Sequence, residues 1–392
     1  MDETYEHIVI GAGALGSAAA YWLAKSGASN ILVLEQFELG HSRGASEDHS
    51  RIIRHSYHST NYTALTHAMF DTWRELAEES GVPLVHTTGG LDLAVAGSPG
   101  EVELTNYRAS LDAIKVGYED LTAPEIRRRW PQWHLDDDVV GMFQPDGGIL
   151  DIRKAGAVHV ALARARGVQF APHTTVRGLT SDENKVTVVT DRGTLTARNV
   201  VVCVASWIAK LLPDLGLSWR MTLTQEQVSY FATPNLRDFA PDRFPIWIWH
   251  GEELFYGFPV YGEVAVKLAR DMSGRFITVD GRSYDPDPAE TAHCERFLRD
   301  HLPGAVGPEL ISKTCVYDMP PDRDFILGRV PGHPRLTIGL GAGHAAKFAS
   351  LIGRILSDIT LRDTTDFPIE AFRPDRPALT DPDYPFAFRL VS

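Results

Sequence analysis

Cysteine is scarce in this sequence, and its copies are far apart. The 392 residues include three cysteines, Cys203, Cys294 and Cys315. Three cysteines cannot build a disulfide framework, and the lack of a CxxC pair argues against a structural zinc site. We therefore expect a protein of a reducing, cytoplasmic compartment that holds no metal.

Long apolar runs, targeting signals and an excess of positive charge are also missing. No stretch of about 18 apolar residues occurs, so no membrane-spanning helix is expected. The opening MDETYEH is acidic, which argues against a secretory signal, and the closing FRLVS is neither a peroxisomal nor a prenylation signal. The formal net charge of −13 argues against a nucleic-acid partner. A small anionic substrate is still compatible with it, because local cations can set the field inside a pocket.

The chain begins with the pattern of a βαβ unit. Apolar residues at 7–10 predict a buried strand, and 11–16 form a glycine-rich turn. Residues 17–26 predict a helix that ends at Gly27, and 30–35 predict a second buried strand. This order indicates that a Rossmann-type unit starts almost at the first residue.

The glycine-rich turn carries a dinucleotide-binding fingerprint. Gly11, Gly13 and Gly16 form GxGxxG between a strand and a helix, and Glu35 ends the next strand. Glycines allow the backbone to approach a pyrophosphate, whose charge the helix N-terminus favours. Glu35 is placed to accept hydrogen bonds from the adenosine ribose. The motif predicts a dinucleotide cofactor, but it does not separate FAD from NAD.

The rest of the chain predicts a Rossmann layer that is interrupted and then resumed. Residues 62–80 predict an amphipathic helix whose apolar face we assign to the core; that face consists of Leu65, Met69, Trp73 and Leu76. A helix over 150–166 and strands up to residue 204 follow. Residues 217–320 alternate and are rich in aromatics, as in FPIWIWH, which predicts antiparallel sheet. The segment LTIGLGAGHAAKFASLIGRILSDI then predicts a strand, a turn and a helix.

Four further segments are distinctive. They read HSRIIRHSY at 49–57, FYGFP and then KL within 255–268, CVY and then PDRDFIL within 315–327, and GHAAKF at 343–348. In this order they resemble the DTRIIRHAY, YYGFP…KL, CMYT…PDxxFII and GHGFKF segments of the family of monomeric sarcosine oxidase and N-methyltryptophan oxidase. With the fingerprint, the resemblance extends from residue 8 to about residue 350.

The resemblance implies an α/β fold. It consists of a Rossmann-type FAD-binding domain, similar to that of p-hydroxybenzoate hydroxylase, and an α+β substrate domain with an antiparallel sheet. We expect the FAD-binding domain at 1–85, 145–216 and 322–375, and the substrate domain at 86–144 and 217–321. It also implies a monomer that oxidises the C–N bond of a small secondary amine or N-methyl amino acid to an imine and reduces O₂ to H₂O₂.

The resemblance further assigns roles to individual residues. Cys315 matches the residue that is linked to the 8α-methyl carbon of the flavin, so we expect covalent FAD. Lys267 matches the lysine that activates O₂, where a fixed cation stabilises developing negative charge. Arg54 and Lys347 match the residues that hold the substrate carboxylate, and Arg51 matches a catalytic residue beside the flavin.

The remaining site assignments are less specific. Tyr256 is expected to serve catalysis and substrate binding, although packing in the sheet is an equal alternative, and Trp247 and Trp249 are assigned to the sheet core. The cofactor-binding set consists of Gly11, Gly13, Gly16, Glu35, Ser42, Ser50, Val176, Cys315, Gly343, His344 and Lys347. A metal site was considered for His41, His49, His55 and His58. Their loose spacing favours flavin-facing or surface positions instead.

Two positions depart from the family pattern. Asp271 stands where sarcosine oxidases carry a histidine after the lysine, and Glu47-Asp48 replace a His-Gly pair. We assign Asp271 to the substrate site. Added carboxylates would repel an anionic amino acid or attract a cationic group, so we expect a zwitterionic secondary amino acid larger than sarcosine.

Three hypotheses of function follow. The first is an FAD-dependent amine or amino-acid oxidase. The second is an FAD- or NAD-dependent dehydrogenase with another electron acceptor, against which Lys267 argues. The third is a non-catalytic FAD-binding protein, against which the retention of Arg54 and Lys347 argues.

Overall fold

The computed structural model describes residues 3–46 and 48–388. The first ten strands are β1 Glu3–Ile10, β2 Ile31–Leu34, β3 Ser50–Ile53, β4 Val85–Thr87, β5 Gly90–Val95, β6 Glu119–Thr122, β7 Val139–Gln144, β8 Gly148–Asp151, β9 Gln169–Ala171 and β10 Val176–Ser181. The others are β11 Val186–Thr190, β12 Gly193–Val202, β13 Thr222–Phe231, β14 Ile246–His250, β15 Leu254–Phe258, β16 Val266–Arg270, β17 Arg275–Phe276, β18 Glu309–Met319, β19 Ile326–Val330 and β20 His333–Leu340.

The helices pack against all three sheets of the structure. They are α1 Ala14–Lys25, α2 Thr60–Ser80, α3 Pro99–Ala113, α4 Ala123–Arg129, α5 Ile152–Ala165, α6 Ile208–Leu211, α7 Pro288–His301, α8 Ala349–Arg362 and α9 Pro377–Thr380. Helix α2 confirms the predicted amphipathic helix, since the four residues assigned to its apolar face are all buried. Within the described ranges, no helix has the length and apolar composition that a membrane span requires.

The first sheet is the Rossmann layer. Its order is β10-β11-β12-β1-β2-β9, and β20 joins it beside β12 and pairs with β19. The pairs β12-β1, β1-β2, β2-β9 and β12-β20 are parallel. Strand β12 is longer than expected, because the hairpin strand and the buried strand predicted after it are one continuous strand. It pairs with β11 along its first part and with β20 along its second part.

The second sheet is largely antiparallel. Its order is β17-β13-β16-β15-β14-β5-β7-β6, and β18 also pairs with β13. The predicted antiparallel sheet is confirmed, with one pair that differs, since β5 and β14 run parallel. These two strands come from separate segments of the chain, so no hairpin fixes their relative direction. Trp247 and Trp249 of β14 lie in the core of this sheet, as expected.

A small third sheet, in the order β3-β8-β4, carries Arg51 at its edge strand β3. The strands of each large sheet come from the segments that were predicted for one domain. The exact division of the chain into two domains stays a prediction.

Candidate active site

The turn between β1 and α1 is built for close backbone contact. Gly11 has a φ of +95°, and a Cβ atom there would lie 2.3 Å from the carbonyl oxygen of Cys203. A Cβ atom on Gly16 would lie 1.9 Å from the carbonyl oxygen of Gly11. Gly13 faces Ser46, whose hydroxyl accepts a hydrogen bond from the Ala14 amide at 2.9 Å. Only glycine fits at positions 11 and 16, so the turn stays tight and its backbone stays accessible.

Glu35 follows β2 directly and is buried beside this turn. Its carboxylate accepts hydrogen bonds from the amides of Ala12 and Phe37, at 2.9 and 3.0 Å. Burial opposes ionisation, but these bonds and the contact with His41 lower the pKa of Glu35. An ionised acceptor therefore lies beside the helix N-terminus, where a ribose hydroxyl could donate to it.

One large cavity connects the glycine-rich turn with the second sheet. Its volume is about 1510 Å³, above the usual range of about 300–1,000 Å³ for small-ligand pockets. Of the site residues predicted from the sequence, its lining includes Gly11, Gly13, Glu35, Ser42, Arg51, Arg54, Val176, Tyr256, Lys267, Asp271, Cys315, Gly343, His344 and Lys347. Gly16 and Ser50 lie outside the lining.

Cys315 lies on β18, opposite Glu226 of β13. Its side chain is partly exposed in the cavity wall, and burial raises the pKa of its thiol to about 11. Cys203 and Cys294 are also free and are buried more deeply. Cys315 is therefore a neutral thiol that faces the cavity together with Lys267.

Lys267 projects from β16 and is almost fully buried. Its ammonium donates to Asp48 Oδ2 at 2.5 Å, to the Ser50 carbonyl oxygen at 3.0 Å and to Ser50 Oγ at 3.2 Å. Burial lowers the pKa of Lys267 to about 8, although Asp48 opposes this shift. Ser50, predicted to contact the cofactor, thus lies behind the cavity wall as a partner of Lys267.

Arg54 follows β3 and is held from one side. Its guanidinium donates to Asp92 at 2.6 Å and to the Tyr107 hydroxyl at 3.2 Å. His250 lies 2.9 Å from the same Asp92 oxygen. The Nε atom of Arg54 is buried without a hydrogen-bond partner. Arg54 therefore lines the cavity with its charge largely compensated by Asp92.

Lys347 lies in the short 3₁₀ helix Ala345–Phe348, which precedes α8. Its ammonium donates to the Tyr57 hydroxyl at 2.7 Å and to the carbonyl oxygen of His344 at 3.4 Å. Burial and the charge of Arg54 lower the pKa of Lys347 to about 7. No carboxylate among residues 3–46 and 48–388 forms an ion pair with it, in contrast to Arg54.

Asp271 forms an ion pair with Arg323, to which the sequence had assigned no role. Arg323 Nη2 lies 2.9 Å from both Asp271 oxygens, and the Tyr317 hydroxyl donates to Asp271 at 3.1 Å. The repulsion of an anionic substrate that was expected from Asp271 is therefore offset by Arg323.

Tyr256 lines the cavity from β15, and burial raises the pKa of its hydroxyl well above the usual value. Glu47, the other added acid, lies outside the described residues.

Several contributors had no assigned role at the sequence level. They are Ser46, Asp48, Asp92, Tyr107, Tyr230, Tyr317 and Arg323. Tyr317 and Arg323 could have been found, because both lie inside distinctive segments. The described residues contain no cluster of His, Cys, Asp or Glu arranged to hold a metal ion.

The sequence model of the family "FAD dependent oxidoreductase" (DAO) matches residues 6–359. The chain belongs to this family. It is 30% identical over 388 residues to monomeric sarcosine oxidase from Bacillus sp. (strain B-0618), with 97% of this chain and 98% of the relative covered. It is 30% identical over 380 residues to N-methyl-L-tryptophan oxidase from Escherichia coli O127:H6 (strain E2348/69 / EPEC), with 95% and 99% covered. The family expected from the motifs is confirmed.

Solved structures give the same result for this FAD-dependent oxidoreductase. NikD, described as an unusual amino acid oxidase essential for nikkomycin biosynthesis, has a TM-score of 0.84, 28% identity and coverage of 100% of both chains. L-proline dehydrogenase from P. horikoshii has a TM-score of 0.84 at 19% identity, with 95% of this chain and 98% of the other covered, and shows the fold alone.

The residues present fit FAD. The glycine-rich turn has no room for Cβ atoms at Gly11 and Gly16, and Glu35 supplies a carboxylate for the ribose. The same cavity continues from this turn to Cys315 and Lys267, as a molecule with a nucleotide end and a flavin end requires. The cavity of this oxidoreductase therefore has an accessible backbone at the glycine-rich turn and polar side chains at Cys315 and Lys267.

Proposed function

We propose that this protein oxidises the C–N bond of an N-methyl or other secondary amino acid to an imine and passes the electrons to O₂, which forms H₂O₂. Bound FAD would supply the two-electron acceptor between substrate and O₂. The observation that carries the proposal is the ammonium of Lys347, which faces the same cavity as Cys315 and Lys267. Within the described residues no carboxylate forms an ion pair with it, although the charge of Asp271 acts on it from further away.

The charges around the cavity favour a substrate with a carboxylate. Arg54 is paired with Asp92, and Arg323 is paired with Asp271. These pairs leave Lys347 as a cation that a substrate carboxylate can neutralise. An ion pair at 4 Å contributes on the order of 4 kcal/mol at an effective dielectric constant near 20. Arg54 lines the same cavity, but its charge is largely compensated by Asp92 and adds little to this attraction.

The Asp271–Arg323 pair leaves little net charge at another part of the wall. Tyr317 and Tyr256 lie beside it and present aromatic surface. A substrate amine must be unprotonated to lose a hydride equivalent, and such a compensated, partly aromatic environment does not favour the ammonium form. This surrounding suits an amino acid whose carboxylate is bound at Lys347.

We propose that Cys315 holds the flavin covalently. Its thiol faces the cavity, whereas Cys294 lies outside the cavity lining. In the linkage, the sulfur would replace one hydrogen of the 8α-methyl group, and the thiol would lose its own hydrogen. Bound FAD would accept the two electrons released and pass them to O₂. The neutral thiol must lose its proton before it can attack.

Lys267 would promote the reaction with O₂. Reduction of O₂ creates negative charge, and a cation held at a fixed position lowers the energy of that state. Lys267 is buried, is fixed by three hydrogen bonds and lines the cavity.

The test is a substrate panel with peroxide detection. The purified protein is assayed with N-methyl amino acids and with the matching decarboxylated amines. We expect H₂O₂ in amounts equal to the substrate consumed, and much higher kcat/KM for the acids. Equal turnover of the amines would contradict the carboxylate site.

The same experiment separates oxidase from dehydrogenase. If substrate reduces the flavin but O₂ does not reoxidise it, and an artificial dye does, the protein is a dehydrogenase. For an oxidase, Lys267→Met should slow reoxidation roughly 100- to 1000-fold and reduction by substrate far less, because one stabilising group at a developing anion is worth about 3–4 kcal/mol.

We also propose that the protein is a cytoplasmic monomer. The free state of Cys203, Cys294 and Cys315 supports a reducing environment. Analytical ultracentrifugation and cell fractionation test the two statements.

A further inference from the structure

The Lys267 ammonium has three hydrogen-bond acceptors, one for each of its hydrogens, and they belong to only two residues. One partner is the Asp48 carboxylate, and the other two are oxygen atoms of Ser50. Lys267 and Asp48 are both buried, with side-chain exposures of 3% and 6%. The pair is therefore a short, buried ion pair, and both of its residues line the cavity.

Besides Lys267, Asp48 has other partners. The Tyr230 hydroxyl donates to Oδ1 at 2.5 Å, and Lys313 donates to the same oxygen at 3.3 Å. Arg51 lies 3.7 Å from Oδ2. Burial acts against the ionised carboxylate, but the charges of Lys267 and Arg51 hold the pKa of Asp48 well below its usual range. Asp48 is therefore a permanent anion among three cations.

The backbone at Asp48 is unfavourable for a side chain. Its φ is +108°, in the region that favours glycine. Such strain persists only where the surrounding contacts impose it, and it concentrates at functional sites. At Asp48 these contacts are the hydrogen bonds of its carboxylate, so the position retains an acid in spite of its backbone.

We infer that Asp48 is a positioning residue that keeps Lys267 protonated and fixed at the cavity wall, so that Lys267 can act on O₂. This inference rests on the proposed function, because it assigns Asp48 to the oxidase half of that reaction. Without Asp48, burial and Arg51 would both disfavour the ammonium form of Lys267. With Asp48, the ammonium survives up to about pH 8.

The other groups around Lys267 do not replace this anion. Phe258 and Tyr230 contribute ring faces, 4.6 and 5.7 Å from the ammonium. Glu263 is shared by Lys313 and His49, at 3.8 and 3.0 Å. The charged and titratable groups that face the pair are Arg51, His49, Tyr230, Glu263, Lys313 and Cys315. Among the described residues, only Asp48 forms an ion pair with Lys267.

The test compares Asp48→Asn and Asp48→Gly holoenzymes with the wild type. Asparagine keeps the size and loses the charge, and glycine adopts the positive φ without strain, so folding is retained in at least one variant. Flavin reoxidation by O₂ is followed by stopped flow between about pH 6 and 9. The wild-type rate should fall above about pH 8. In both variants this fall should begin at lower pH, because Lys267 loses its proton more easily. Their rates should be similar to that of the wild type at pH 6. At pH 9 they should be about tenfold lower for each unit by which the pKa of Lys267 is lowered.

Lys267→Met is the control and should be slow throughout, without this fall. A persistent fall in Lys267→Met, an unchanged pH profile in the Asp48 variants, or faster reoxidation at every pH would overturn the inference.

A second readout does not depend on turnover. Unfolding free energies are measured for the wild type, Asp48→Asn, Lys267→Met and the double variant. Because the two residues form one pair, the double variant should lose less stability than the sum of the single variants, and this shortfall should shrink above the pKa of Lys267. Additive losses at neutral pH would overturn the pairing. A reduced enzyme that does not react with O₂ would contradict the proposed function, whereas the double-mutant cycle would still decide whether Asp48 and Lys267 are coupled.

Discussion

At the scale of residues, the buried cations around the cavity differ in whether a carboxylate in direct contact neutralises their charge. Arg54 has Asp92, Lys267 has Asp48, and Lys347 has only a hydroxyl and a carbonyl oxygen. A buried ion pair retains its charges because each offsets the desolvation of the other. In the part of the chain that the structure describes, Lys347 has no carboxylate in direct contact, so burial and the charge of Arg54 outweigh the more distant Asp271 and lower the pKa of Lys347 to about 7.

This difference predicts the pH dependence of carboxylate binding. A small aliphatic carboxylate without an amine should bind tightly while Lys347 is protonated. Its affinity should fall about tenfold per pH unit above about pH 7. Lys347→Met should bind it at least about tenfold more weakly at pH 6, with no such pH dependence. The measurement is the change of flavin absorbance on titration.

Lys347→Arg is the matched control for this prediction. Its charge persists over the whole pH range, so carboxylate binding should not weaken above pH 7. A wild-type affinity that is constant from pH 6 to 9 would show that Lys347 does not hold the carboxylate.

At the scale of elements, the nucleotide half depends on the approach of α8 to α1. Gly353 of α8 lies against α1, and a Cβ atom there would be 2.5 Å from the backbone carbon of Ala18 and 2.8 Å from the amide nitrogen of Ala19. Because backbone atoms of a helix cannot move aside as a flexible side chain can, the two helices would have to separate. The position of α1 also sets the position of the glycine-rich turn.

Gly353→Ala should therefore destabilise the protein, by about 1–3 kcal/mol as expected for overpacking. Chemical denaturation of the holoenzyme measures this loss. Gly117→Ala is the control, since no heavy atom lies within 4 Å of a Cβ atom added there, and it should change stability by less than about 0.5 kcal/mol. A similar, small effect of both substitutions would mean that the contact between α1 and α8 is not tight.

At the scale of the whole molecule, one cavity is lined by parts of both large sheets. Gly11 follows β1 of the first sheet, and Cys315 belongs to β18 of the second. A ligand that fills such a cavity contacts both parts at once and binds the folded state alone. Its binding therefore adds to the stability of the entire protein.

This linkage predicts how Cys315→Ala behaves. Wild-type protein should keep its yellow colour in acid, with the flavin mass on Cys315, and its unfolding temperature should not depend on added FAD. Cys315→Ala should release FAD in acid. Its stability should rise with FAD concentration, by about 2.7 kcal/mol at 100 times Kd. Cys294→Ala, a buried cysteine outside the cavity lining, should behave like the wild type. Release of all flavin from the wild type would refute the covalent link.

The sequence by itself determined those parts of the protein that depend on contiguous residues. The GxGxxG turn, Glu35 and the amphipathic helix α2 were predictable, because turn geometry and the 3.6-residue period act over a few neighbours. The distinctive segments identified the family for the same reason, and they carry Cys315, Lys267 and Lys347.

Only the tertiary structure decided how the charges are paired. Lys267 and Asp48 are separated by 219 residues, Arg323 and Asp271 by 52, and Arg54 and Asp92 by 38. The sheet order brings each pair together, and no local pattern records it. The parallel pairing of β5 with β14 has the same origin. The effect of a buried charge depends on its nearest counter-ion, so the roles of Asp271, Asp48 and Arg54 could be inferred only after the fold had placed their partners.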